Sequence, residues 1–154
     1  MKKLCLLSAV IIILLSACTK GEVKVDVPDT PAAKATQAIV QQYIAANQDQ
    51  DADLLISLYS DELVWMDYGL NDGPGGKGNI SFAIREVMGT GYYEVQFKSY
   101  LVTPDGRFAV LQGTYSQAAK STGKWIYVPA YVVLEFKDSL IVTETWYYDG
   151  SVFH

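Results

Sequence analysis

Residues 39–67, IVQQYIAANQDQDADLLISLYSDELVWMD, decide the fold because their hydrophobic pattern changes from helical to extended within one short stretch. Apolar residues first recur every three or four positions, which predicts an amphipathic helix: Ile39, Tyr43 and Ala46. Thr30 and Pro31 upstream supply a capping hydroxyl and a proline for the first helical turn. We therefore expect a first helix from this cap to about Asn47.

The second half of this stretch predicts a short helix followed by a strand. Ala52 to Tyr59 carries an apolar stripe, and either Asp49 or Asp51 can cap its first turn. Leu63 to Tyr68 is then expected to form a strand.

The rest of the chain predicts one more helix and then only strands. Gly69 to Gly78 is rich in glycine and is expected to be a loop, and Asn79 is expected to cap a helix that runs through Met88. Four long strands should follow, the last three as an antiparallel meander: Tyr92–Val102, Phe108–Ala118, Lys124–Phe136 and Leu140–Tyr148. Helices followed by a run of strands predict an α+β domain, with the helices on one face of a curved sheet.

The N-terminus has the pattern of a signal peptide. A cationic start is followed by an apolar run from Leu4 to Leu15, which is too short to span a bilayer as a helix. The run ends in Leu15-Ser16-Ala17-Cys18, which resembles the lipobox of bacterial lipoproteins. That resemblance implies removal of residues 1–17, a diacylglycerol on the Cys18 sulfur and acylation of its new amino group with a fatty acid such as palmitate.

The lipobox also has consequences for the thiols of the mature chain and for its place in the cell. Cys5 lies in the removed signal, so Cys18 is the one cysteine left, and it carries lipid. The residue after it is Thr19 rather than aspartate, which by the enterobacterial sorting pattern favours the outer membrane, facing the periplasm. Residues 18–31 are then expected to form a polar tether to a domain at residues 32–154.

Charge and composition argue against several classes of partner. The formal net charge is −5, and it becomes −7 once the two signal lysines are removed, which argues against nucleic acid. The one histidine, His154, has no Cys or carboxylate cluster beside it in the sequence, so no metal and no other cofactor is expected. Gly73-Pro-Gly-Gly-Lys-Gly lacks the order of a phosphate-binding loop and is expected to be a flexible loop.

Four segments together resemble the nuclear transport factor 2-like superfamily. They are residues 39–47, residues 51–67, Gly78 with Ile80 to Glu86, and the closing strand Val142-Thr-Glu-Thr-Trp146-Tyr-Tyr148-Asp149. Within the superfamily the chain is similar to the SnoaL-like polyketide cyclases and to the ketosteroid isomerases, over nearly all of the expected domain. The resemblance implies a cone, in which a strongly curved mixed sheet surrounds a pocket that three helices close. This agrees with the order of elements that periodicity predicts.

The resemblance also implies roles for single residues. In ketosteroid isomerases a tyrosine of the first helix donates a hydrogen bond to the developing oxyanion, and an aspartate at the end of the first strand moves the proton. Tyr43 and Asp67 match these positions without a gap in the spacing. The position of a second, protonated aspartate is taken here by Tyr131. A phenol can donate the same hydrogen bond, so Tyr43 and Tyr131 would form the oxyanion hole and Asp67 would be the base.

Two function classes stay open at this point. One is a metal-free isomerase or lyase that transfers a proton beside a carbonyl, with Asp67 in a ligand-accessible cavity. The other is a non-catalytic module that binds a small apolar ligand in a pocket that Asp67 does not enter. Because one isomerase acid is absent, the sequence favours the second class. The residues expected to line the pocket are aromatic: Tyr59, Trp65, Tyr127, Trp146 and Tyr148.

A third use of the sheet is the pairing of two chains. Many members of the superfamily form dimers through the sheet, and the strand near Tyr115 or Trp125 is the candidate edge for a homodimer. The other expected partners are the membrane, reached through the lipid anchor, and a small apolar ligand.

Overall fold

The structure, a computed structural model, describes residues 23–69, 72–118 and 122–153. The expected signal peptide and Cys18 lie outside the described residues, so the signal peptide, its removal and the lipidation of Cys18 stay predictions. Of the helices in the described ranges, none is both long and apolar enough to span a membrane.

The first two helices begin where their capping residues predict. Helix α1 spans Pro31–Asp49, and the Thr30 side chain accepts a hydrogen bond from an amide of the first turn. Helix α2 spans Ala52–Ser57 and is capped by Asp51, whose carboxylate likewise accepts from a first-turn amide. Of the two predicted caps for α2, Asp51 is therefore the one used.

Helix α3, Lys77–Val87, begins earlier than the sequence predicts. The chain enters it through Gly76, and no side chain caps it. Asn79 lies inside the first turn, so its prediction as the cap is wrong. Lys77, the first residue of the helix, joins it to β2, because its ammonium donates to the Tyr59 carbonyl oxygen at 2.8 Å and to the Asp61 carboxylate at 2.9 Å.

Within the described residues, seven strands form one open, mixed sheet. They are β1 Lys24–Asp26, β2 Tyr59–Asp67, β3 Asp72–Gly75, β4 Tyr93–Val102, β5 Phe108–Ala118, β6 Trp125–Lys137 and β7 Leu140–Tyr148. A short 3-10 helix, Gly150–Phe153, follows. The order across the sheet is β1-β4-β5-β6-β7-β2-β3, with β1 parallel to β4 and β2 parallel to β7. In the part of the chain that the structure describes, three α-helices lie on a mixed sheet, which confirms the predicted α+β fold. The last three long strands form the predicted antiparallel meander.

Two short strands lie where the sequence predicts irregular chain. Strand β1 falls inside the expected tether and pairs with β4, and β3 falls inside the expected glycine-rich loop and pairs with β2. Both are edge strands held by a neighbouring strand, so their own hydrophobic pattern does not reveal them. The strands that carry Tyr115 and Trp125 are internal to the sheet, so neither is the predicted edge.

Alternation along β6 sorts its side chains onto two faces of the sheet. The inward residues are buried in the same core as Val40 and Ile44 of α1: Val128, Ala130, Val132, Leu134 and Phe136. The residues between them face the other side, where Tyr127 and Tyr131 are exposed. The sheet therefore has an inner face that packs on the helices and an outer face that meets solvent.

Gly113 of β5 allows the backbone of β4 to come close, which gives a testable prediction. A Cβ at this position would lie 2.3 Å from the Gln96 carbonyl oxygen, so the two strands would have to separate. We expect Gly113→Ala to lower the free energy of unfolding by about 2–4 kcal/mol, measured by urea denaturation.

Gly78→Ala in α3 is the matched control for this substitution. Its Cβ would meet nothing within 4 Å, and alanine favours a helix over glycine by up to about 1 kcal/mol. Equal stability of the two alanine variants would contradict the close approach of β4 and β5 at Gly113.

Candidate functional site

The helices and the inner face of the sheet line a partly open cavity of about 210 Å³. The helical side contributes mainly aliphatic side chains: Leu55, Ile80, Ile84, Val87 and Met88. The sheet contributes five aromatic residues: Tyr59, Trp65, Tyr93, Tyr115 and Trp146. Among the described residues, no group of three or more His, Cys, Asp or Glu side chains could hold a metal ion. The cavity is thus a mainly apolar space with few polar groups in its wall.

Glu144 of β7 contributes a carboxyl group to this wall and is only 3% exposed. Its Oε1 accepts hydrogen bonds from the Tyr43 hydroxyl, at 2.9 Å, and from the indole nitrogen of Trp146. Its Oε2 accepts a bond from the Tyr59 hydroxyl at 2.6 Å, and the Trp65 side chain is a further donor. Because an indole N–H can only donate, this set of partners fits an ionised carboxylate.

Burial and hydrogen bonding act in opposite directions on the Glu144 carboxyl. Removal from water raises its pKa above the ordinary value of 4.5, and the bonds from its four donors lower the pKa without cancelling the effect of burial. Burial, followed by the charge of Glu144, raises the pKa of both Tyr43 and Tyr59 well above the ordinary range. Both phenols therefore stay protonated and remain donors to Glu144.

Asp67, the predicted base, lies beside this cavity but is not part of its described lining. It ends β2 and is 7% exposed. Its Oδ2 accepts a hydrogen bond from the Tyr148 hydroxyl, and its Oδ1 accepts one from the Gly69 amide, both at 2.8 Å. Burial and then the Asp67 charge raise the pKa of Tyr115, a lining residue, to about 12. The Asp67 carboxylate thus holds the Tyr148 side chain and the turn after β2 in place. Its charge also affects the cavity, because it raises the pKa of the lining residue Tyr115.

Tyr131 and Tyr127 point away from the cavity. Both occupy outward positions of β6 and are 46% and 62% exposed, respectively. Tyr131 instead lines a groove beside Lys24 and Gln112. The predicted oxyanion pair of Tyr43 and Tyr131 is therefore corrected, because neighbouring residues of a strand face opposite sides and it is Ala130 that faces inward. Tyr127 likewise does not belong to the cavity wall.

The other predicted pocket residues fall into two groups. Three of them line the cavity: Tyr59, Trp65 and Trp146. Their role in binding a ligand stays a prediction. Tyr148 lies outside the described lining and stacks on the lining residue Tyr115, with 4.7 Å between ring centroids. Tyr43 is fully buried behind Glu144 and is also outside the lining, so its hydroxyl acts on Glu144.

Glu144 is the functional candidate that residue-by-residue reasoning from the sequence missed. It belongs to a segment that carries the family resemblance, but the resemblance implies no role for it. A signal was present, because Glu144, Trp146 and Tyr148 alternate along one predicted strand and should share one face. A carboxyl on the same face as two predicted pocket residues is a candidate polar group for the pocket.

The donors of Glu144 give a prediction that depends on pH. Because folding raises the pKa of Glu144, its contribution to stability is fully present below about pH 4.5 and is lost as the pH rises through the folded-state value. Tyr59→Phe removes a bond to the charged form and raises that pKa further. We expect this variant to lose about 1.5–3 kcal/mol of unfolding free energy at pH 7 and less at pH 4.

Urea denaturation at the two pH values measures this loss. Tyr131→Phe is the matched control, because its exposed hydroxyl does not contact Glu144, and it should change stability by less than about 0.5 kcal/mol at either pH. Equal losses for Tyr59→Phe at pH 4 and pH 7 would show that the bond does not depend on the charge of Glu144.

Solved structures of the same fold cover most of this chain. A candidate polyketide cyclase from Xanthomonas campestris pv. campestris has a TM-score of 0.66, with 14% identity over 78% of this chain and 94% of its own. A candidate SnoaL-like polyketide cyclase from Jannaschia sp. CCS1 has a TM-score of 0.67, with 14% identity over 81% of this chain and 92% of its own. A candidate polyketide cyclase from Pseudomonas putida KT2440 has a TM-score of 0.61, with 20% identity over 74% of this chain and 90% of its own. At these identities the similarity concerns the fold alone.

The sequence itself matches a family model. The SnoaL-like domain model matches residues 40–144, well over half of the chain. A comparison with curated protein sequences gives no significant match. The matched range contains α2, α3 and the C-terminal half of α1, together with strands β2 to β6 and the start of β7. It includes all the described lining residues of the cavity except Trp146. The chain therefore belongs to the SnoaL-like domain family.

Proposed function

We propose that this chain is a membrane-anchored lipoprotein whose SnoaL-like domain binds a small, mainly apolar ligand. The observation that carries the binding proposal is the cavity of about 210 Å³ between aliphatic helix residues and aromatic sheet residues. An apolar cavity of about 150 Å³ can hold benzene, so this one has room for a ligand of about eight to ten heavy atoms. Burial of such a ligand removes apolar surface from water, which favours binding.

Proton transfer beside a carbonyl is the weaker alternative. It requires two oxyanion donors and one base around the same ligand. Tyr43 donates its hydroxyl to Glu144, Tyr131 faces outward, and Asp67 accepts from Tyr148. Because these three predicted catalytic groups do not converge on the cavity, the geometry supports binding better than catalysis.

Filling the cavity should abolish binding. Ile84 of α3 is buried and lines the cavity, so Ile84→Trp places an indole in the ligand's space. We expect small neutral phenols and cyclic ketones to bind the parent chain in lipid nanodiscs and to bind this variant at least about tenfold more weakly. Isothermal titration measures the affinities, with empty nanodiscs as the blank.

Phe82→Trp is the matched control for the filled cavity. Phe82 lies on the same helix but is 65% exposed, so the same side chain is added outside the cavity. Its affinities should equal those of the parent. Unchanged binding by Ile84→Trp, or no binding of any compound by the parent, would refute the proposed ligand site.

The lipid anchor is the second part of the proposal, and Cys18 in its lipobox supports it. Two or more acyl chains make an anchor stable, since each buried methylene contributes about 0.8 kcal/mol. The localisation that follows is the outer membrane, with the domain facing the periplasm.

Cys18→Ser should separate the chain from the membrane. This variant should fail to incorporate radiolabelled palmitate in a bacterial host, and it should lose the detergent-phase partitioning of the parent. Cys5→Ser is the matched control, because Cys5 lies in the expected signal peptide and should not affect labelling of the mature chain. Palmitate labelling of Cys18→Ser would contradict the assignment.

A further inference from the structure

We infer that the ligand of the cavity is a cation, a small alkylammonium compound held between the aromatic residues of the sheet and the buried carboxylate of Glu144. This inference rests on the proposed ligand binding and names the chemistry of the ligand. Its three grounds are the arrangement of the rings, the charge of the wall and the nature of the partners of Glu144.

Three aromatic rings of the wall pack against one another edge to face. Tyr93 and Tyr115 lie 5.4 Å apart with their planes at 60°, and Tyr115 and Trp146 lie 6.1 Å apart at 70°. Tyr59 and Trp65 add two further aromatic side chains to the same cavity. Aromatic faces attract cations through their quadrupole, and cages of this composition are the known means of binding quaternary ammonium groups.

The charge in and near this wall is negative. Glu144 lines the cavity, and none of the described lining residues is a lysine, an arginine or a histidine. The charge of Asp67 also reaches the cavity, because it contributes to the raised pKa of the lining residues Tyr93 and Tyr115. A cation would therefore enter a field that attracts it, in surroundings where water screens charges poorly.

The described partners of Glu144 are all neutral. They are phenol and indole groups, which donate hydrogen bonds but bring no positive charge. A buried carboxylate without a cationic partner is costly. A neutral ligand would fill the volume and leave that cost in place, whereas an ammonium group would supply the missing countercharge beside Glu144. The same site therefore favours a cation over a neutral molecule of equal shape.

Choline and 3,3-dimethylbutan-1-ol test this difference, because they have nearly the same shape and only choline is charged. Isothermal titration of the full chain in nanodiscs should give an affinity for choline at least about tenfold higher than for the alcohol, which is about 1.4 kcal/mol. Glu144→Gln keeps the size of the side chain and removes its charge. It should reduce the preference to less than about threefold while the alcohol still binds.

Glu62→Gln is the matched control, because Glu62 is exposed on β2 outside the cavity wall and its loss changes the net charge equally. Its preference for choline should equal that of the parent. If Glu144→Gln does not fold, Tyr93→Leu serves instead, since loss of one ring should also weaken choline more than the alcohol.

The outcomes separate this inference from the function on which it rests. Equal or tighter binding of the alcohol by the parent overturns the cation and leaves the apolar ligand site intact. A preference for choline that survives in Glu144→Gln, or in Tyr93→Leu where that variant is used, also overturns it. Failure of the parent to bind choline, the alcohol and the neutral phenols and ketones overturns both proposals together.

Discussion

The hydrogen bonds to the Glu144 carboxylate are the interaction on which the rest of the site depends. They join β7 to the first helix through Tyr43 and to β2 through Tyr59, so three elements that are distant in sequence meet at one buried group. A β-bulge at Val142 makes this possible, because Phe136 pairs with Ile141 and Glu135 pairs with Thr143. The extra residue changes the alternation of β7, so that Ile141 and Glu144 are both buried on the inner face. The same arrangement places a carboxylate in the wall of an otherwise apolar cavity.

Sequence reasoning succeeded where a single element carries its own signal. The cap at Thr30, the cap at Asp51 and the long alternating strands are local patterns, and they fixed the order of helices and strands. It failed where the outcome depends on a partner elsewhere in the chain. Edge strands β1 and β3 form because they pair with β4 and β2, respectively. Tyr131 points outward because of which set of alternating β6 residues faces the helices, and this depends on the packing of β6 against them. The role of Glu144 depends on contacts among β7, α1 and β2, so the sequence of β7 alone does not predict it.

The pairing of β1 with β4 changes how the domain relates to its proposed anchor. The chain is already part of the sheet at Lys24, so the segment from Cys18 to Lys24 can span at most about 20 Å. In a chain lipidated as proposed, this length limits how far the sheet edge at Lys24 can lie from the bilayer surface. Amphiphilic amines, which have apolar groups and one positive charge, partition to that surface and would be available to a cavity with aromatic walls and a buried carboxylate.

The central claim is that a carboxylate at the wall of the cavity remains ionised inside the protein, held by neutral donors. Carbon-13 NMR of glutamate labelled at the side-chain carboxyl measures this directly, with Glu144→Gln used to assign the resonance. We expect the Glu144 carboxyl of the ligand-free protein to resonate as an ionised carboxylate at pH 7, and to shift to the protonated position on acidification at a higher pH than an exposed glutamate does, because burial raises its pKa. A resonance at the protonated position at pH 7 would contradict the account.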